Sequence, residues 1–140
     1  MTDTQINLQD SRLWAVQTPG RVILPGNDTP LLVPSGQAVR LHEVIVDSQS
    51  PDAAIFRFRY LAPAIARNGG TMDFEASIND MQGLCNAHAL SRLTTPLPPN
   101  VQVIISFADV AVPFGETNPD ATQFFMAFDI KDGQCILEPF

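Results

Sequence analysis

The sequence predicts an α+β domain: an antiparallel sheet of about five strands with one amphipathic helix packed on one face. Three observations predict it. Phe56, Phe58 and Tyr60 alternate with Arg57 and Arg59 in "AIFRFRYLAP" (Ala54–Pro63), the period-2 pattern of a strand with one face in a core. One stretch, "DFEASINDMQGLCNAHALSRL" (Asp73–Leu93), carries apolar residues at helical spacing. The last part of the chain reads as apolar runs joined by a tight Asp132-Gly133 turn.

Taken in order, residues 1–35 are expected to be an irregular N-terminal segment. "RVILPG" (Arg21–Gly26) and "PLLVPSG" (Pro30–Gly36) look like short extended pieces cut by Pro and Gly, with extra strands allowed here. The Asn27-Asp28-Thr29 triplet matches a glycosylation sequon, but reads more simply as a turn. A single domain then occupies 36–140. In "QAVRLHEVIVD" (Gln37–Asp47) the apolar parity switches from Val39 and Leu41 to Val44 and Val46. One extra residue near Glu43, a β-bulge, restores a common face.

After the "FRFRY" strand, Asn68-Gly69-Gly70 breaks the chain. Asp73 can cap the free N–H groups of the following helix, and Glu75 adds favourable charge to its first turn. Phe74, Ile78, Met81, Cys85 and Ala89 form its apolar stripe, flanked by Leu84 and His88. Gly83 weakens it by about 1 kcal/mol relative to Ala. Pro96, Pro98 and Pro99 end any continuation. "VQVIISFADVAV" (Val101–Val112) reads as an inner strand with Val101, Val103, Ile105 and Phe107 on one face. "PFGETNPDAT" (Pro113–Thr122) is a loop. "QFFMAFDI" (Gln123–Ile130) and "QCILEPF" (Gln134–Phe140) form a hairpin.

A chain of 140 residues is one ordinary domain. At 15.3 kDa it buries roughly two-thirds of its unfolded surface, so it needs neither a metal nor a dense disulfide framework. Its net charge is −7, with one lysine, Lys131, against seven arginines in no run. Such a chain repels phosphate backbones and anionic lipid, which argues against nucleic acid or a membrane surface as partner. No apolar stretch reaches the roughly 18 residues of a membrane span, so membrane insertion is not expected. "MTDTQINLQD" (Met1–Asp10) shows neither a basic n-region nor an apolar h-region. Read literally that means cytoplasm, though a chain beginning after a removed signal looks the same.

The two cysteines both point inward. In a two-residue Asp132-Gly133 loop Ile130 opposes Cys135 and Phe128 opposes Leu137, and opposed residues share a sheet face. Cys85 lies on the helix's core stripe. The pattern allows two buried free thiols. It also allows a disulfide closing about 50 residues, which contributes up to about 4 kcal/mol in the chain-entropy model.

The stretches "FRYLAPAIARNGG", "NDMQGLC", "VPFGETNPDATQFF" and "DGQCILEPF" resemble a family of small uncharacterised alphaproteobacterial proteins, some labelled acetolactate synthase. The resemblance covers roughly residues 33 to 140 by those motifs. It brings no catalytic residues. It implies that the helix cysteine and the hairpin cysteine pair as Cys85–Cys135, in proteins that are often exported. With an oxidising compartment favouring the bond, the expectation becomes a periplasmic or secreted protein.

The label itself fits poorly. No diphosphate-and-metal motif for thiamine diphosphate appears, and a small regulatory subunit would show a second helix. No cofactor is expected. No metal is expected either, since His42 and His88 are far apart and lack Cys or His neighbours at ligand spacing. There is no phosphate loop, nucleophile elbow or C-x-x-C pair, and Ser91 and Ser106 have no activating context. No catalytic residue is assigned. His88 reads as a boundary residue holding a hydrogen bond.

Two features remain. Arg57 and Arg59 lie on the non-aromatic face of their strand, with Arg40 and His42 on the preceding one. They form either a solvated sheet face or a platform for a carboxylate-bearing partner. The loop Val112–Thr122 is either structural or a recognition loop displaying Phe114 and Glu116. The expected function is a non-enzymatic, exported domain that binds an unknown protein or small molecule through Arg57, Arg59, Phe114 and Glu116. In that binding reading an arginine bridged to Glu116 fixes the loop and leaves Phe114 displayed. The alternative is a small hydrolase-like enzyme on the Arg57, Arg59, Glu43 and Glu116 face.

Overall fold

The computed structural model describes residues 20–93 and 97–138, at 49 the backbone alone. Six strands form one sheet in the order β1-β2-β3-β4-β5-β6. They are β1 (Gly20–Leu31), β2 (Val39–Ser50), β3 (Ala53–Leu61), β4 (Asn100–Ala108), β5 (Gln123–Lys131) and β6 (Gln134–Leu137). Every neighbouring pair is antiparallel except β3 and β4, which run parallel. The expected five-strand, wholly antiparallel sheet is therefore corrected to six strands with one parallel pair. The reason lies in the connection: the chain leaves β3, passes through a helix and returns in the same direction, the crossover that parallel strands need.

The added strand is β1, whose residues fall in the segment expected to be irregular. Its Pro and Gly residues are accommodated because it is the sheet's edge, where a missing N–H costs no ladder bond. Pairing with β2 runs from Gly20 opposite Ser48 to Pro25 opposite Glu43, then resumes at Thr29 opposite Leu41. Asn27 and Asp28 sit between, both with left-handed φ. The bulge expected near Glu43 is present in β2: Leu41 opposes Tyr60 and Glu43 opposes Arg59, so His42 is the extra residue.

The helix covers residues 74–92 in three stretches. Asp73 caps it by accepting from the Ala76 N–H at 2.8 Å. Between Cys85 and Ala89 the turn widens to a π-helix, with the Leu90 N–H reaching the Cys85 carbonyl. Leu93 turns to an extended conformation and ends it. Of the prolines expected to stop the helix, Pro96 lies outside the described residues.

Met81, Leu84, Cys85 and Ala89 meet Phe56, Phe58, Tyr60, Val103, Ile105, Phe107 and Phe128 in one core on one sheet face. Phe58, Ile105 and Phe128 have no exposed surface. Phe74 departs from the expected stripe: at the open N-terminal end it is 42 % exposed and packs edge-on to Phe124. On another side of the helix, buried Asp80 accepts from the Ser35 N–H at 2.9 Å, the Ser35 hydroxyl, and Gln37 Nε2 at 2.8 Å. These bonds tie the β1–β2 link to the helix.

Asp132 and Gly133 both have positive φ, as a two-residue hairpin of type I′ requires. Lys131 opposes Gln134, Ile130 opposes Cys135 and Phe128 opposes Leu137. Cys135 is thereby brought to the helix, where Cys85 and Cys135 form a disulfide. No described helix is long and apolar enough to cross a membrane.

Candidate binding site

The sheet face away from the helix collects the charged residues. Because opposed residues share a face, the register places Arg21, Ile23, Glu43, Ile45, Asp47, Arg57, Arg59, Ile104, Ser106 and Phe125 together. The alternation in "FRFRY" puts both guanidinium groups here, since Phe56, Phe58 and Tyr60 take the core side.

Each arginine has a carboxylate on the neighbouring strand. Arg57 Nη1 bonds Asp47 Oδ2, and Arg59 Nη1 bonds Glu43 Oε2. Arg21 reaches Asp47 from the other side, through Nε at 2.7 Å and Nη2 at 3.3 Å. The Arg21 hydrogen bond holds the Asp47 carboxyl below its ordinary range; partial burial opposes this and Arg57 adds to it. The same bond raises Arg21.

A loop lies over this cluster. Pro113, Phe114, Gly115 and Glu116 make a turn in which the Glu116 N–H bonds the Pro113 carbonyl at 3.0 Å. Gly115 has φ +85 at the third position, which a type II turn demands. Arg59 Nη2 anchors the loop through the Val112 carbonyl at 2.6 Å. Phe114 then sits within reach of three cations. Its ring centre is 5.0 Å from the Arg21 guanidinium carbon, 5.2 Å from that of Arg57 and 5.5 Å from that of Arg59. Such separations fall within cation–π range. The loop's far side is held by Arg67, which donates to the carbonyls of Pro119 at 3.3 Å and Ala121 at 3.0 Å.

Beside the loop a depression of about 270 Å³ is lined by Arg57, Arg59, Ile104, Ser106, Pro113, Phe114, Gly115, Glu116, Gln123 and Phe125. All four binding residues expected from the sequence, Arg57, Arg59, Phe114 and Glu116, border it. Glu43 joins them as the partner of Arg59. The expected Glu116 bridge is corrected: the arginines bond carboxylates on the adjacent strand, while Glu116 stays exposed at the rim with no ion pair among the described residues. Neighbouring strands hold charges a few ångströms apart, which a loop carboxylate must first be ordered to match.

Arg40 and His42 do not join the cluster as expected. Arg40 pairs with Asp28 at 3.4 Å, on the exposed edge. His42 lines a small crevice with Arg59 and Ser106. Asp47 and Arg21 were not foreseen. Asp47 shares the parity of Glu43 after the bulge, which is a usable signal. Arg21 carries none, because nothing in its surroundings announces a paired strand.

Glu43 and Asp47 are held by guanidinium groups, and no hydrogen bond joins Ser106 to a histidine among the described residues. Nor do three or more His, Cys, Asp or Glu side chains gather in a metal-binding group among those residues. A second groove, of about 550 Å³, lies at the amino ends of β3 and β4 between Ala53, Pro98, Pro99 and Lys131, and shares none of these residues.

A family model described as a family of unknown function, DUF6497, matches residues 14–140. The chain belongs to that family. No curated protein and no solved structure matches the chain.

Proposed function

We propose that this is a non-enzymatic binding domain that works in an oxidising compartment outside the cytoplasm and engages its partner through the open sheet face. One observation carries the reading. Arg57, Arg59, Phe114 and Glu116, residues from two separate parts of the chain, border one depression, and its rim exposes apolar surface. Phe125 is 61 % exposed and Ile23 54 % exposed on the same face. Exposed aromatic side chains beside arginines are the composition of binding hot spots. The buried Cys85–Cys135 bond supports the compartment, because such bonds persist where thiols are not kept reduced.

The test places a photo-reactive phenylalanine analogue at Phe125 and, as a control, at Leu32, which is fully exposed on another part of the surface. Irradiation in intact cell envelopes should give a discrete adduct at Phe125 alone, lost in Arg57→Ala with unchanged far-ultraviolet circular dichroism. Identical adducts at both positions, or none at Phe125, would refute the reading.

A further inference from the structure

The depression beside Phe114 has the chemistry of a site for one negative charge on an apolar body. We infer that its ligand is a small monocarboxylate bearing an aromatic ring or branched apolar group. This rests on the proposal that the open sheet face binds, and adds the ligand class.

The charge balance points to one anion. Arg21, Arg57 and Arg59 face Asp47 and Glu43, which leaves one positive charge without a counterpart in the cluster. Glu116 is exposed at the rim, where water screens it. The whole chain carries −7, so a second or third negative charge on the ligand is repelled by the body of the protein. A phosphate ester fits this balance worse than a carboxylate.

The free hydrogen-bond donors point to a planar anion. A guanidinium offers five N–H groups in a fixed fork. Arg57 uses Nη1 for Asp47, and its Nε and Nη2 donate to no acceptor among the described residues. Those two groups form one edge of the guanidinium, with parallel N–H bonds spaced to match the two oxygens of a carboxylate. Arg59 is committed differently, with Nη1 on Glu43 and Nη2 on Val112. It is the anchor of the loop, and Arg57 is the residue left to meet a ligand. The Arg57 side chain keeps 23 % of its surface accessible, against 12 % for Arg59.

The walls supply the apolar half. Ile104 forms the floor, with the exposed rings of Phe114 and Phe125 at the sides. At about 270 Å³ the space is at the small end of ligand sites, enough for one ring and its head group. A fused cofactor or a nucleotide exceeds it.

The experiment titrates the full-length, disulfide-bonded protein with phenylacetate, phenylacetamide and phenyl phosphate, followed by amide chemical shifts. A peptide ending in Phe with a free carboxylate and its amidated form make a further pair. Phenylacetate should shift residues 57, 104, 114 and 125 saturably, with phenylacetamide at least about tenfold weaker, as loss of one charged hydrogen-bonded pair implies, and phenyl phosphate weaker than phenylacetate because its second negative charge is repelled. Arg57→Gln should weaken phenylacetate by a similar factor, while Lys131→Gln, on the opposite part of the sheet, leaves it unchanged. Equal affinity for acid and amide, tighter phenyl phosphate, insensitivity to Arg57→Gln, or no binding of phenylacetate would each overturn the inference. A free-carboxylate peptide binding well above phenylacetate would overturn the small-molecule source. If phenylacetate fails while the Phe125 cross-link persists, the ligand class is wrong and the binding face stands.

Discussion

Arg59 donates Nη2 to the Val112 carbonyl at 2.6 Å while its Nη1 holds Glu43. One side chain thus joins β3 to β2 and both to the loop that carries Phe114. Its side chain is only 12 % exposed, so the groups it satisfies are partly shielded from water. Removing it leaves the Glu43 carboxylate beside apolar surface and frees the loop.

Arg59→Ala should cost about 2 kcal/mol in chemical denaturation, the range for deleting one partner of a shielded charged network. It should also broaden the Phe114 ring signals. Arg21→Ala, whose side chain is 51 % exposed, should leave stability nearly unchanged, because water screens its ion pair. Equal small effects from both would show that the loop is held by something other than Arg59.

The disulfide yields a second prediction. Cys85 and Cys135 are buried at the junction of the helix with the last hairpin and close 50 residues. Replacing both by Ala should lower stability by up to about 4 kcal/mol in the chain-entropy model. Protein from an oxidising compartment, alkylated under denaturing conditions without reductant, should carry no alkylated thiol. Two alkylated thiols in that sample would mean the bond does not form in the native protein.

The features legible in the sequence were those set by short-range pattern. The face of Arg57 and Arg59 followed from strict alternation with three aromatics. The register Ile130 opposite Cys135 followed from Asp132-Gly133, because a two-residue turn admits one pairing. The bulge was legible because the parity of Val39 and Leu41 conflicts with that of Val44 and Val46, and a pleated strand cannot bury both without one extra residue. What was not legible depended on contacts between distant segments. β1 is interrupted by Pro25 and Pro30 and survives only because it lies at the sheet's edge. The fixing of Asp80 by Ser35 and Gln37 depends on where the β1–β2 link lands on the helix, and nothing local encodes that. At the site, Arg57, Arg59, Phe114 and Glu116 were foreseen together, but Arg21 and Asp47, which complete the charge cluster, were not.

Asp80 supplies a third prediction. It is fully buried and accepts from the Ser35 backbone, the Ser35 hydroxyl and Gln37. Asp80→Ala leaves three donors without their acceptor. The cost should be about 3 kcal/mol, as for other broken buried networks. Ser35→Ala keeps the backbone donor to Asp80 and removes the hydroxyl, which also accepts from the exposed Gln37 N–H at 3.1 Å, and should cost about 1 kcal/mol. A negligible effect of Asp80→Ala in urea denaturation would show that water replaces the carboxylate there.

Gly83 offers a stabilising change. It lies inside the helix, and a Cβ at this position would meet only the Pro34 ring, at 3.7 Å. That is ordinary van der Waals contact. Gly83→Ala should therefore stabilise the fold by about 0.5–1 kcal/mol through helix propensity. A lower melting temperature would show that Pro34 cannot tolerate the extra methyl group.

His88 makes the fold sensitive to mild acid. Its Nδ1 is 2.7 Å from the Tyr60 hydroxyl, and Arg92 donates Nε to its Nε2 at 2.7 Å. An arginine cannot accept, so Nε2 holds the lone pair and Nδ1 carries the hydrogen. Burial pushes His88 down from its ordinary 6.5 to about 4, and the Arg92 charge adds to this. Protonation would set an N–H against an N–H and place a second cation beside the first. Above pH 6.5 neither the folded nor the unfolded chain holds this proton. As pH falls from 6.5 toward 4, the unfolded chain takes it up and the folded chain does not. Stability should fall through that window, by about 2–3 kcal/mol, and level off below it. Asp47 acts lower. Its carboxyl is depressed below 3.8, so the stability it contributes is lost only as pH falls below that value. Urea denaturation at intervals from pH 7.5 to 4.5 should show the decline in the native protein. In His88→Gln, which keeps a polar group but does not titrate, the slope across that interval should be nearly flat. The same slope in both proteins would assign the acid sensitivity to other groups.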